Sequence, residues 1–222
     1  MANSPVPARA YRVPRPPAPM PRTRAPTVMV AALLSAGPGV AQAHLVTSGL
    51  GPFYDGALHL LLSPGDLLGV LALALLAGLR GPAAGRLAVT ALPIAWLLAG
   101  IVGLAVPTVL EPSWPGALSY LLVGVLLAAN LALPPWVVGA LAAGYGALHG
   151  LLNGSALAAI AAGWPELLGI VTTVLMLTLL IGAAVVPLRA EWGRLVVRVI
   201  GSWVAAIGLL MLGWTLHGAA SN

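Results

Sequence analysis

The first segment with ligand chemistry stands at the start of an apolar block. Asp55 and His59 are four positions apart, which places both on one face of a helix. Asp66 follows seven positions after His59, beyond the helix-breaking stretch Ser63–Gly65. The segment 67–79 alone is too short to cross about 30 Å of hydrocarbon. We therefore predict a broken first span, and broken helices at membrane depth survive where they line a cavity or are buried in protein.

A second polar face occurs in a later apolar block. Tyr145, His149 and Asn153 recur every four residues, so they share one helical face. The adjacent face carries glycines at the spacing that lets two membrane helices approach closely, namely Gly146, Gly150 and Gly154. Close packing there would carry His149 towards another helix. The contact could lie within one bundle or between protomers, and the sequence leaves both open.

Together the two segments form a candidate site for a divalent metal ion. Imidazole and carboxylate ligands suit nickel, cobalt, zinc or manganese better than copper(I), and the chain contains no cysteine. Ionisable residues inside a span are functional candidates by default; structural polar packing is the alternative. The predicted ligands, including a His44 that would offer an amine beside its imidazole as a mature N-terminus, are His44, Asp55, His59, Asp66, His149 and Asn153.

The composition requires these residues to be positioned by membrane helices. Of 222 residues, 60% are hydrophobic and 7% are charged, whereas soluble domains carry about 25% charged residues. The apolar blocks are rich in Leu, Ala and Val, which fits helices rather than alternating barrel strands. We predict an all-α, polytopic membrane bundle of about six spans, covering approximately 57–79, 87–106, 116–133, 135–152, 166–186 and 195–216.

The N-terminus has the pattern of a secretory signal peptide. A Pro- and Arg-rich region precedes the short apolar run Thr27–Leu34, and Ala41–Ala43 supplies an A-x-A cleavage site. We therefore expect residues 1–43 to be removed and 44–222 to form the membrane domain; an uncleaved first anchor is the alternative. Five of the ten arginines lie in the first 24 residues, so the basic charge belongs to targeting and predicts no nucleic-acid partner.

The remaining arginines predict the orientation. With the mature N-terminus outside, the loops 80–86 and 187–198 hold all five of them and face the cytoplasm. We expect a multi-pass protein of a bacterial-type inner membrane, in contact with lipid, with both termini on the outer side. All four histidines then fall on the outer half. His217 is read as an interfacial residue, and Glu166, just after Pro165, as a helix-start acid.

Two segments resemble the HupE/UreJ family of nickel and cobalt permeases. They are AHLVTSGLGPFYDGALHLLLSPGDLLGVLALALLAGLRG and GALHGLLNG, and the resemblance covers 44–222. It implies six spans, an outer His/Asp motif in the first helix and a His-Gly motif in a later one. By position it points to Asp55, His59, Asp66 and His149. Leu67 stands where the family's denser first motif has a histidine.

The expected function is a permease that takes nickel or cobalt from the outer side through spans one and four, with no permanently bound cofactor. No phosphate-binding loop motif is present to couple transport to nucleotide hydrolysis. One alternative is a non-transporting accessory or metal sensor for metalloenzyme assembly, with a maturation partner or as a homo-oligomer. A remote alternative is an intramembrane serine hydrolase, since His149 and Asn153 share a helix; Ser155 is too near His149 in sequence to be its usual nucleophile.

Overall fold

The computed structural model describes residues 48–106, 113–188 and 190–220. These ranges form seven helices and no strand. In chain order the helices are α1 (Pro52–Leu62), α2 (Pro64–Leu79), α3 (Pro82–Leu104), α4 (Ser113–Ala129), α5 (Pro135–Ala159), α6 (Trp164–Val185) and α7 (Glu191–Ala220). The predicted all-helical membrane bundle is confirmed.

Proline begins most of the helices. Pro52, Pro64, Pro82 and Pro135 each occupy the first helical position, where the missing N–H leaves no helical bond unmade. In α6 the first turn is closed by Glu166, whose carboxylate accepts a hydrogen bond from the Gly163 N–H at 2.9 Å. This confirms the prediction that Glu166 is a helix-start acid.

Four helices, α3, α5, α6 and α7, are long and apolar enough to cross a membrane. Helices α1 and α2 pass the same test only as a pair, bent by 76° at Ser63, so the predicted break in the first span is present. The third predicted span, 116–133, corresponds to α4, a shorter apolar helix that ends at Ala129, before the predicted 133. Helices α5 and α7 extend beyond their predicted bounds.

Helix α2 lies at the centre of the bundle and contacts all six other helices. Its buried side chains, among them Val70, Leu73 and Leu76, belong to the main apolar core. The closest pairs around it are α3 with α5 and α4 with α7. The outward faces of α3, α6 and α7 expose large apolar side chains, as expected for surfaces that face lipid. A polar residue on α2 is therefore held inside the bundle.

Candidate functional site

Asp66 is the third residue of α2, directly after the break in the first span. Its carboxylate stands in the first helical turn, where a negative charge is stabilised by the helix dipole. The break also separates the C-terminal end of α1 from the N-terminal end of α2. The terminal carbonyl and N–H groups of a helix have no partners within that helix. The local sequence Ser63-Pro64-Gly65 thus places a carboxylate at the break in the first span, inside the bundle.

His149 of α5 contacts this carboxylate. Its Nδ1 lies 2.8 Å from Oδ1 of Asp66. Asn153, one turn later on α5, donates from Nδ2 to Oδ2 of Asp66 at 3.0 Å and to the backbone carbonyl of His149 at 2.9 Å. On the far side of the imidazole, Nε2 lies 2.9 Å from Oγ of Ser119 on α4. Three helices therefore converge on one polar cluster, formed by Asp66, Ser119, His149 and Asn153.

Aromatic rings enclose the imidazole of His149. Tyr145 stacks on it, with ring centroids 4.1 Å apart and an angle of 15° between the planes. Trp96 of α3 and Tyr120 of α4 lie at 5.7 and 5.4 Å from the imidazole centroid. The rings exclude water from the sides of His149, and a low local polarity strengthens its contact with Asp66.

The cluster is more accessible from the Asp66 side. The His149 side chain is 2% exposed, whereas that of Asp66 is 14% exposed. The carboxylate is therefore the more accessible of the two groups.

The glycine face of α5 explains how His149 reaches this depth. Methyl groups at Gly146, Gly150 and Gly154 would overlap backbone carbonyl oxygens of α3. The facing residues of α3 are spaced four apart like the glycines, namely Leu92, Trp96 and Gly100. The GxxxG face therefore packs α5 against α3 within one chain, which answers the question that the sequence left open.

The sequence profile of the HupE / UreJ protein family matches residues 30–211. The chain belongs to this family. The resemblance noted in the sequence is thereby confirmed, and membership associates the chain with nickel or cobalt transport or with an accessory role in the membrane. No curated protein and no solved structure matches the chain at a significant level.

In this HupE / UreJ protein the predicted site residues separate into two groups. Asp66, His149 and Asn153 form the cluster, whereas the carboxylate of Asp55 accepts hydrogen bonds from Ser48, from its N–H at 2.6 Å and from its hydroxyl at 2.5 Å. His59 is half-buried on α1, near enough to Asp66 for an electrostatic interaction between them. His44 lies outside the described residues. Within the described ranges, no three His, Asp or Glu side chains form a group that could hold a metal ion.

Two features of the cluster were missed in the sequence. Ser119 and Tyr120 are adjacent polar residues in an apolar span, a signal that could have marked α4 as a third contributor. Gly69 of α2 lies beneath the Tyr145 hydroxyl, where a methyl group would overlap it. Gly65 lies four positions before Gly69. Because neither glycine has a side chain, the Tyr120 hydroxyl fits against Gly65 and the Tyr145 hydroxyl fits against Gly69. The four-residue spacing of the two glycines could be seen in the sequence. The tyrosines of α4 and α5 that they face could not be predicted from it.

Proposed function

We propose that this chain is a permease that carries a divalent transition-metal ion, nickel or cobalt, across the inner membrane. The observation that supports this most is the contact between Asp66, at the break in the first span, and His149 in α5. In transporters, ions bind near such breaks, where half-helix ends and side chains replace the hydration shell. Membership of the HupE / UreJ protein family supports the same assignment.

The donors of the cluster suit the proposed cargo. Asp66 offers carboxylate oxygen and His149 imidazole nitrogen, while the Asn153 amide N–H holds the carboxylate; oxygen and imidazole ligands match nickel or cobalt rather than the soft ion copper(I). Asp66 and His149 are the two strong ligands among these. A conducting site must bind an ion firmly enough to admit it and weakly enough to release it, and an ion that keeps part of its water meets both conditions.

The exposure of the two ligands sets the proposed order of events. The ion first meets the more accessible Asp66 and then His149. From Asp66, α2 continues for 14 residues to Arg80, about 21 Å at 1.5 Å per residue. By the positive-inside rule the arginine end faces the cytoplasm. The cluster then belongs to the outer half, and both termini of the mature chain lie outside.

Ion entry into reconstituted vesicles tests the permease. Purified full-length protein should admit nickel or cobalt faster than empty vesicles do. The double variant Asp66→Asn with His149→Gln, incorporated at equal amount, should lose most of the entry that exceeds the empty-vesicle rate. His217→Gln is the matched control, because His217 is an exposed histidine on α7, and it should retain the native rate. A folded native protein that admits neither ion would favour the accessory function.

One observation favours a second candidate, an intramembrane serine hydrolase. Ser119 Oγ, His149 and Asp66 lie in the order of a nucleophile, base and orienting acid, at 2.9 and 2.8 Å. However, Ser119 stands in the interior of α4, so its N–H bonds within the helix and does not offer an oxyanion donor. Its hydroxyl also donates to the Gly116 carbonyl at 2.7 Å. Labelling of Ser119 by a fluorophosphonate would establish the hydrolase; unlabelled, folded protein would reject it.

A further inference from the structure

A second polar region lies at the other end of α2, where this helix, the end of α4 and the start of α7 meet. Arg80 follows α2 and donates from Nη1 to the Leu131 carbonyl at 2.6 Å; its Nη2 donates to the side chain of Asn130. Arg198 of α7 donates from Nε to the Ala128 carbonyl at 3.0 Å. The two guanidinium groups thus satisfy carbonyls at and after the C-terminus of α4, where cations are favoured.

The arginines of this region carry more N–H groups than these hydrogen bonds involve. Arg194, one turn before Arg198, has no carboxylate within ion-pair distance in the described part of the chain. Burial, and then the positive charge of Arg194, lower the pKa of Arg80 below its usual value. The Nε of Arg80 is buried without a hydrogen-bond partner, and the Nη groups of Arg198 make none of the bonds described above.

The surplus charge borders a cavity of about 450 Å³. The residues around it are Asn130, Glu191, Trp192, Arg194, Leu195 and Arg198. Two arginines and one glutamate leave it net positive. Trp192 is 72% exposed, in the position of a tryptophan at a membrane interface. From Leu195 onward, the outward face of α7 is apolar and uncovered.

We propose that this cavity, the arginine pocket, binds the phosphate of an anionic phospholipid whose acyl chains lie along α7. A phosphate fits the unpaired N–H groups of Arg194 and Arg198, since guanidinium groups bind phosphate oxygens in pairs. Basic pockets between membrane helices on the cytoplasmic side are recognised lipid headgroup sites. A free phosphate would satisfy the arginines too, but it would leave the apolar face of α7 and Trp192 unused. The lipid is therefore the occupant that accounts for both features.

Thermal unfolding of the full chain in detergent, titrated with phosphatidylglycerol, tests the pocket without using transport. Phosphatidylglycerol should raise Tm more than phosphatidylcholine does. The variant Arg194→Gln with Arg198→Gln should weaken the phosphatidylglycerol titration by about 25-fold, since each arginine near an anionic surface contributes roughly fivefold. The Arg194 side chain makes no hydrogen bond within the described part of the chain, so Arg194→Gln alone should fold and show roughly fivefold weakening. Arg86→Gln is the matched control, since Arg86 is an exposed arginine of α3 outside the pocket, and it should titrate like the native chain.

The opposite results overturn the proposal. If both pocket variants titrate like the native chain, the lipid does not bind there. If inorganic phosphate raises Tm as much as phosphatidylglycerol does, the pocket binds soluble anions instead. Equal shifts with phosphatidylglycerol and phosphatidylcholine would show that no anionic headgroup is recognised.

Discussion

Oδ1 of Asp66 lies 2.8 Å from Nδ1 of His149, although 83 positions separate the two residues in the chain. The contact joins the broken first span to α5, and Asn153 fixes the carboxylate from the same face of α5. Neither helix alone carries the pair, so the proposed ion site exists only in the assembled bundle. Each of the following predictions perturbs either this pair or the packing that creates it.

Replacing Asp66 by asparagine keeps the side-chain shape and removes the negative charge. We expect the initial rate of nickel entry into vesicles to fall by about 10- to 100-fold, because hydrogen bonds to a charged group contribute about 1.5–3 kcal/mol. The measurement is entry at equal protein incorporation, with a chromatographic check that the variant is folded. A folded variant with the native rate would remove Asp66 from the path.

Ser119→Ala separates the permease from the hydrolase. The substitution removes one neutral hydrogen bond to His149, which contributes about 0.5–1.5 kcal/mol. Nickel entry should therefore fall by less than about tenfold, and by less than for Asp66→Asn. Loss of entry as complete as that of Asp66→Asn would show that Ser119 is itself an essential contact.

Gly150→Ala tests the packing that holds His149 at depth. The added methyl group would overlap the Trp96 carbonyl, and neither backbone can yield without separating α3 from α5. We expect a loss of stability of about 1–3 kcal/mol or more, measured by thermal unfolding in detergent. Gly144→Ala is the matched control on the same helix, because a methyl group there meets nothing within 4 Å. Equal unfolding temperatures for the two variants would contradict the close α3–α5 contact.

Gly69→Ala tests the space beneath Tyr145. The new methyl group would overlap the Tyr145 hydroxyl, so the ring must move from its stacked position on His149. We expect destabilisation of about 1–3 kcal/mol, part of which Tyr145→Phe should restore in the double variant, because phenylalanine lacks the hydroxyl. A single Gly69→Ala variant as stable as the native chain would show that Tyr145 does not occupy this space.

The sequence predicted what local patterns determine. Pro64 and Gly65 marked the break, and the four-residue spacing placed Tyr145, His149 and Asn153 on one face. Helix pairing could not be predicted, because residue spacing shows which helix face carries small or polar side chains but not which helix packs against it. Thus the pairing of α5 with α3, and the approach of Ser119 from α4, came only from the structure. The partner of Asp55 was not predicted either, because Ser48 lies before the helix begins.

The most direct test of the shared site is a double-mutant cycle on nickel entry. Rates are measured for the native chain, Asp66→Asn, His149→Gln and the double variant. A second cycle, which combines His217→Gln with Asp66→Asn, is the control in which the two effects should add. Residues in one contact network give non-additive effects, whereas distant residues add within about 0.3–0.5 kcal/mol. We predict that the Asp66–His149 double variant is no slower than the slower single variant, to within about threefold. Losses that simply multiply, or a native chain that admits no more nickel than empty vesicles, would contradict the account.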